Sequence, residues 1–266
     1  MRSLKKWLIL LSCYLLLSCV TSEVDAAGNE IGVGSGDSKK LSEIYINLAL
    51  LYQDQGVLAT ALERANMAVK VCSNNPHAYL VRANIYAAIG DMANADTDYK
   101  KTLHLSPNNY DALVAYGTFL CTQKKYDLAA TNFNLAISNR LYYNRGLGYY
   151  SKGKCLFEQK QYVVSEELLK KSVDCQDTPN LVYFYLASIA LSNNFPDSAL
   201  SYLDKYNGTV NADILSLRIK ILQQLQKSNK YNTSNGINYQ EQINVLKKQL
   251  LTNFPNSVAA QTITQY

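Results

Sequence analysis

Few residues in this 266-residue chain are placed to do covalent or metal chemistry. The two histidines, His77 and His104, fall at expected helix ends, and neither has a cysteine or carboxylate at metal-ligand spacing. No metal site is expected. Glu166 and Glu167 are adjacent, but neighbouring helical residues point apart, so this pair belongs on a solvated face. There is no G-x-S-x-G turn, no phosphate-cradling glycine loop and no H-E-x-x-H segment. The residues imply no catalytic site, no small-molecule substrate and no enzyme. What chemistry remains belongs to thiols. Cys13 and Cys19 lie near the start, and Cys72, Cys121, Cys155 and Cys175 lie in the body.

The first two thiols sit in a recognisable context. Met1–Lys6 is a short basic segment, and Trp7–Leu17 is an apolar run of 11 residues broken only by Ser12. That run is too short to span a bilayer but suits the core of a secretory signal peptide. Leu16-Leu17-Ser18-Cys19 then resembles the lipobox of bacterial lipoproteins, whose cysteine thiol is acylated before cleavage. Leu10-Leu11-Ser12-Cys13 also fits the pattern, but cleavage there would leave an apolar core of about five residues. Cys19 is therefore the preferred lipidation site, and its covalent lipid is the only cofactor expected. Val20, rather than Asp, follows it. By resemblance to Gram-negative sorting, this implies the outer membrane, with the domain facing the periplasm.

The bulk numbers suit a folded binding domain. The chain is 48% hydrophobic with 18% charged residues, and its 21 tyrosines against one tryptophan suggest half-buried helix faces. Loss of Arg2, Lys5 and Lys6 with the leader lowers the formal charge from +5 to +2. A near-neutral chain without a basic block argues against nucleic acid. Residues 1–18 read as the leader, 19–40 as a lipidated flexible tether rich in Gly and Ser, and 41–266 as the folded domain.

The domain is repetitive. Copies beginning at Ser42, Pro76, Tyr110, Gly146 and Asn180 are spaced by 34, 34, 36 and 34 residues. In this register position eight reads Ala49, Ala83, Gly117, Gly153, Ala187, and position twenty reads Ala61, Ala95, Ala129, Ser165, Ala199. Ala, Gly and Ser form about a quarter of ordinary sequence, so ten small residues arise by chance on the order of once in a million. Two antiparallel helices approach closely only where neither presents bulk. Large apolar residues surround these sites at helical spacing. Gly56 and Gly90 end first helices, and Pro107 limits a second one. Over about Ser42–Tyr206 this resembles the tetratricopeptide repeat (TPR). A sixth, degenerate pair, Ala212–Gln226 and Asn238–Thr252, is expected to cap the array. The resemblance implies an all-α, right-handed solenoid of five regular pairs and one degenerate pair.

By analogy with TPR peptide receptors, positions two, five, nine, twelve and thirteen of each first helix face an inner groove. Position five reads Ile46, Leu80, Val114, Tyr150, Phe184, and Leu147, Phe157, Leu181 and Leu191 add apolar area. Such a row suits an amphipathic helix or an extended hydrophobic peptide. The Lys, Asn and Arg of a carboxylate clamp are matched only by Lys154 and Asn84.

Lipobox, tether, five regular repeats and a degenerate sixth are together similar to the type IV pilus pilotin (PilF/PilW) family. The stretch Leu246–Ser257, with its Phe254-Pro255-Asn256-Ser257 ending, and the elongated aromatic junction Asn139–Tyr150 strengthen the likeness. That family implies a lipoprotein scaffold that carries the pilus secretin to the outer membrane and supports its multimerisation. An alternative is a lipid-anchored TPR adaptor for peptidoglycan hydrolases or outer-membrane protein assembly. In an oxidising compartment the four body cysteines can pair. Cys121 and Cys155 occupy positions twelve and ten of adjacent first helices, an axial offset of about 3 Å. A Cys121–Cys155 disulfide is the expected pairing, with four buried free thiols as the alternative.

Overall fold

The computed structural model describes residues 22–24, 30–32, 35–228 and 238–264. Cys13, Cys19 and the leader lie outside the described residues. The fold divides into two units, one ending at Leu135 and the next beginning at Ala136.

The first unit opens with a short antiparallel hairpin of β1 (Ser22–Val24) and β2 (Glu30–Gly32), Glu23 standing opposite Ile31. Helices follow: α1 (Ser35–Asp54), α2 (Leu58–Val71), α3 (Pro76–Ile89), α4 (Met92–Leu105) and α5 (Tyr110–Thr122). The next helix, α6 (Tyr126–Ser138), runs across the division. α1 pairs with α2 and α3 with α4, and α3 also packs on α1 and α2. Local sequence fixes these starts. Asn75, Asp91 and Asn109 accept hydrogen bonds from the backbone N–H groups of His77, Asn94 and Ala112 at 3.0, 3.2 and 3.0 Å. Each such cap is worth about 1 kcal/mol.

The turn inside each pair repeats in all five copies. Position fifteen has a left-handed backbone at Gly56 (φ 75°), Gly90 (86°), Lys124 (58°), Lys160 (61°) and Asn194 (65°). Each time its N–H reaches back three residues, and the next N–H reaches back five, as in Gly90 to Ala87 and Asp91 to Tyr86. That pair of bonds satisfies carbonyls at the helix end and reverses the chain. Glycine announces the turn in two copies. Lysine or asparagine adopts it in the other three.

All ten small positions are buried. A Cβ on Gly117 would lie 2.8 Å from the Phe133 ring, and one on Gly153 would lie 2.9 Å from Leu169 Cγ. Phe133 and Leu169 are both position twenty-four of their copies, so a glycine stands where the large partner crosses. In the first unit Ile46, Val81 and Ile85 pack among Ala49, Ala61, Ala65, Ala68 and Ala78.

The second unit contains α7 (Arg145–Glu158), α8 (Tyr162–Val173), α9 (Val182–Ser192), α10 (Pro196–Asp204), α11 (Ala212–Ser228), α12 (Tyr239–Asn253) and α13 (Val258–Thr264). Here α7 pairs with α8, α9 with α10 and α11 with α12, while α9 touches α7, α8 and α11. Two buried hydroxyls tie α8 to α7: Ser165 donates to the Gly153 carbonyl and Ser172 to the Gly146 carbonyl, both at 2.7 Å.

Two boundaries differ from the sequence reading. Ser35–Lys40, read as tether, is the first part of α1, and a hairpin lies within the remaining tether. Strands of three residues are too short to display an alternating period. At the other end, helical structure does not stop at Phe254-Pro255. α13 packs on both α11 and α12 with Ala260 buried, so the sixth pair is itself covered.

Candidate partner-binding surface

The candidate groove residues do not share one environment. Ile46 and Val114 are 0% and 3% exposed, and neither offers area to a partner. This corrects the expectation of an unbroken apolar row. Ile46 ends inside the cluster that contains Ala78, Val81 and Ile85 of the next first helix, because a short branched side chain at position five does not reach past the helix contact. Leu80 is half-buried.

The longer residues behave differently. Tyr150 and Phe157 on α7, and Phe184 and Leu191 on α9, are all half-buried. Tyr185 joins three of them. Its ring centroid lies 6.0 Å from Tyr150, 5.1 Å from Phe157 and 5.3 Å from Phe184, mostly edge to face. Phe157 also meets Tyr162 at 5.3 Å. Edge-to-face contacts of this length add about 0.5–1.5 kcal/mol each beyond burial. The ladder is therefore a fixed surface. Burial raises the Tyr150 hydroxyl above the ordinary tyrosine range, reinforced by Tyr185 and by their mutual hydrogen bond. Burial and the Glu158 carboxylate raise Tyr185 as well. Both hydroxyls stay neutral; Tyr150 donates to Tyr185, which leaves the Tyr185 O–H as the donor for a partner. Phe184 and Leu191 also pack against the cluster built on α11, which limits what they present.

Other candidates fall where polar chemistry puts them. Lys154 approaches Glu158 at 3.9 Å, and Asn84 accepts a 2.6 Å hydrogen bond from Tyr99, so both clamp-like residues are engaged. Glu166 and Glu167 are paired one turn on with Lys170 and Lys171, each at 2.7 Å. His77 lies 3.2 Å from Glu43. Among the described residues no group of His, Cys, Asp and Glu could hold a metal ion. Cys121 and Cys155 are 5% exposed and each is disulfide-bonded. The Cys175 thiol, 3.4 Å from the Lys171 carbonyl, is pushed up in pKa by burial and by nearby Asp177.

No protein-family model matches the chain. An uncharacterised protein of Haemophilus influenzae is 28% identical over 129 residues, spanning 47% of this chain and 70% of that protein. The type IV pilus assembly protein PilF of Pseudomonas aeruginosa is 25% identical over 216 residues, spanning 80% of this chain and 84% of PilF. The chain is homologous to PilF. The crystal structure of PilW, a type IV pilus biogenesis factor, superposes with a TM-score of 0.69 and 25% identity over 85% of this chain and 99% of PilW. The solved structures it matches are TPR solenoid proteins, and the all-α TPR class expected from the repeat is the class of this fold. Among the described residues no helix is long and apolar enough to cross a membrane.

Several exposed apolar residues are ones the groove analogy passed over. On α1, Ile44 and Leu51 are 55% and 51% exposed, and half-buried Leu41 and Leu48 continue the stripe at helical spacing. Among the described residues no helix precedes α1 to cover this stripe. The 41, 44, 48, 51 spacing was the available signal. In the junction before α7, Tyr142 is buried while Leu141 and Tyr143 project at 88% and 77% exposure. The two extra residues of the 36-residue spacing were the signal there.

Proposed function

We propose that this protein is an outer-membrane lipoprotein that binds the type IV pilus secretin and supports its localisation and multimerisation. The observation that carries the reading is the homology to PilF, a type IV pilus assembly protein, across four-fifths of the chain. The fold supports it with a mechanism. A secretin subunit bears amphipathic, membrane-inserting segments that need cover before its ring closes. The half-buried ladder of Tyr150, Phe157, Tyr185 and Phe184 supplies apolar area and a neutral hydroxyl donor. Lipidation of Cys19 tethers that surface to the membrane where the ring is built. The protein acts by binding, with no catalytic residue and no cofactor besides the lipid.

Truncation of a central aromatic anchor commonly costs about 2 kcal/mol or more in binding. Tyr150→Ala, Phe157→Ala and Phe184→Ala, each verified for unchanged helicity, are titrated with the secretin. Tyr150 and Phe157 are expected to give the larger losses, because Phe184 is partly committed to the α11 cluster. Unchanged affinity in all three would move the site, with the α1 stripe of Ile44 and Leu51 as its next location.

A further inference from the structure

The inner-face positions change character at the sixth pair. In the fourth copy positions two, five, nine and twelve are Leu147, Tyr150, Lys154 and Phe157, and in the fifth they are Leu181, Phe184, Ser188 and Leu191. Counting from Ala212, the sixth copy has Asp213, Ser216, Lys220 and Gln223. These four residues line a cleft of 490 Å³ that is closed by Lys247 of α12 and Thr262 of α13. A second cleft of 580 Å³ shares Lys220 and Gln223 with the first and adds Lys227. Three lysines thus face the two clefts against a single carboxylate, Asp213.

Four lysines elsewhere among the described residues are paired. Lys100, Lys154, Lys170 and Lys171 each have a carboxylate one turn away on their own helix. Arg218, on the same helix as Lys220, is held by Asp204 at 2.7 Å. Lys220, Lys227 and Lys247 make no ion pair among the described residues. Unpaired cations gathered in a concave surface raise the local concentration of anions. α9 touches both α7 and α11, and α11 touches α13, so the ladder and the cleft are built on neighbouring helices.

We propose that this cleft receives carboxylates of an extended peptide whose apolar residues lie on the α7–α9 ladder. The occupant is a segment with hydrophobic residues followed by several acidic ones, since three lysines spread along the two clefts match a run of carboxylates. Ser216, Gln223 and Thr262 supply neutral donors beside the lysines. The proposal rests on the reading of the ladder as a partner-binding surface.

The test uses the full mature chain and four synthetic ten-residue peptides. Each carries Leu and Phe in its first half; the second half holds four Glu or four Gln, and the C-terminus is free or amidated. Binding is followed by fluorescence anisotropy of an N-terminal label. The Glu peptides are expected to bind about five- to tenfold more tightly than the Gln peptides at low salt. That preference should fall to within about twofold in Lys220→Gln/Lys247→Gln and weaken with added salt. The Glu gain is expected with the C-terminus amidated as well as free; a gain that follows the free C-terminus alone would overturn the proposal. Equal binding of all four peptides, absence of binding, or a preference that survives the double substitution would overturn the proposal. Secretin titration separates the two levels: loss with Tyr150→Ala but none with Lys220→Gln/Lys247→Gln leaves the partner reading standing and removes this one.

Discussion

Asp98 and Arg82 join α4 to α3 inside the first unit, and their removal is the sharpest test of how the second repeat is held. Arg82 donates through Nε and Nη2 to the two Asp98 oxygens at 2.6 and 3.0 Å, and through Nη1 to Asn66 at 3.1 Å. Its guanidinium also sits over the rings of Tyr79 and Tyr86, at 5.4 and 5.7 Å. The side chains are 18% and 6% exposed, so this is a desolvated, forked pair rather than a surface bridge. Breaking a buried pair by removing one partner costs about 3–5 kcal/mol, because the other charge stays buried. Arg82 keeps some access to water and its aromatic contacts, which places Asp98→Ala near the lower end, about 3 kcal/mol. Arg82→Met/Asp98→Leu strands no charge and should be more stable than Asp98→Ala by more than about 1 kcal/mol. Urea denaturation followed by far-UV circular dichroism gives the totals, and hydrogen exchange localises the loss to α3 and α4. A cost below about 1 kcal/mol for Asp98→Ala would mean that the pair behaves as an exposed one and does not hold α3 to α4.

The turn geometry predicts that Lys160→Gly stabilises the fold by about 0.5–1 kcal/mol, because a left-handed lysine costs about 1–2 kcal/mol and glycine returns part of that as chain entropy. Thermal melts in which the variant is neutral or less stable would contradict it. Peptide mapping of non-reduced protein should recover Cys121 and Cys155 in one cross-linked product; a bridge from either to Cys175, or two free thiols, would remove that pairing. Cys19→Ser should abolish lipidation, read as the loss of the lipid mass from the mature N-terminus. A variant still carrying lipid would shift the site to Cys13.

The pair architecture was legible because close helix contact leaves a mark in composition: ten small residues at two positions, every one buried. The turn was half legible. Gly56 and Gly90 advertise a positive φ, whereas Lys124, Lys160 and Asn194 reach it only because the flanking pair is already fixed. The groove was the least legible, for a reason of length. Position five points the same way in every copy, but Ile46 and Val114 end within the helix contact while Tyr150 and Phe184 extend beyond it. The helical state of Ser35–Lys40 was hidden by a polar, glycine-containing stretch without an apolar period, and α13 by the proline that precedes it.

The proposed function is support of secretin assembly by binding. Its decisive test is to delete the gene and run envelope fractions on a gel that preserves heat- and detergent-resistant secretin multimers. Multimers are expected to disappear while secretin monomer persists, the wild-type gene to restore them, and Tyr150→Ala/Phe157→Ala to restore them poorly. Multimers at the wild-type level in the deletion strain would contradict it.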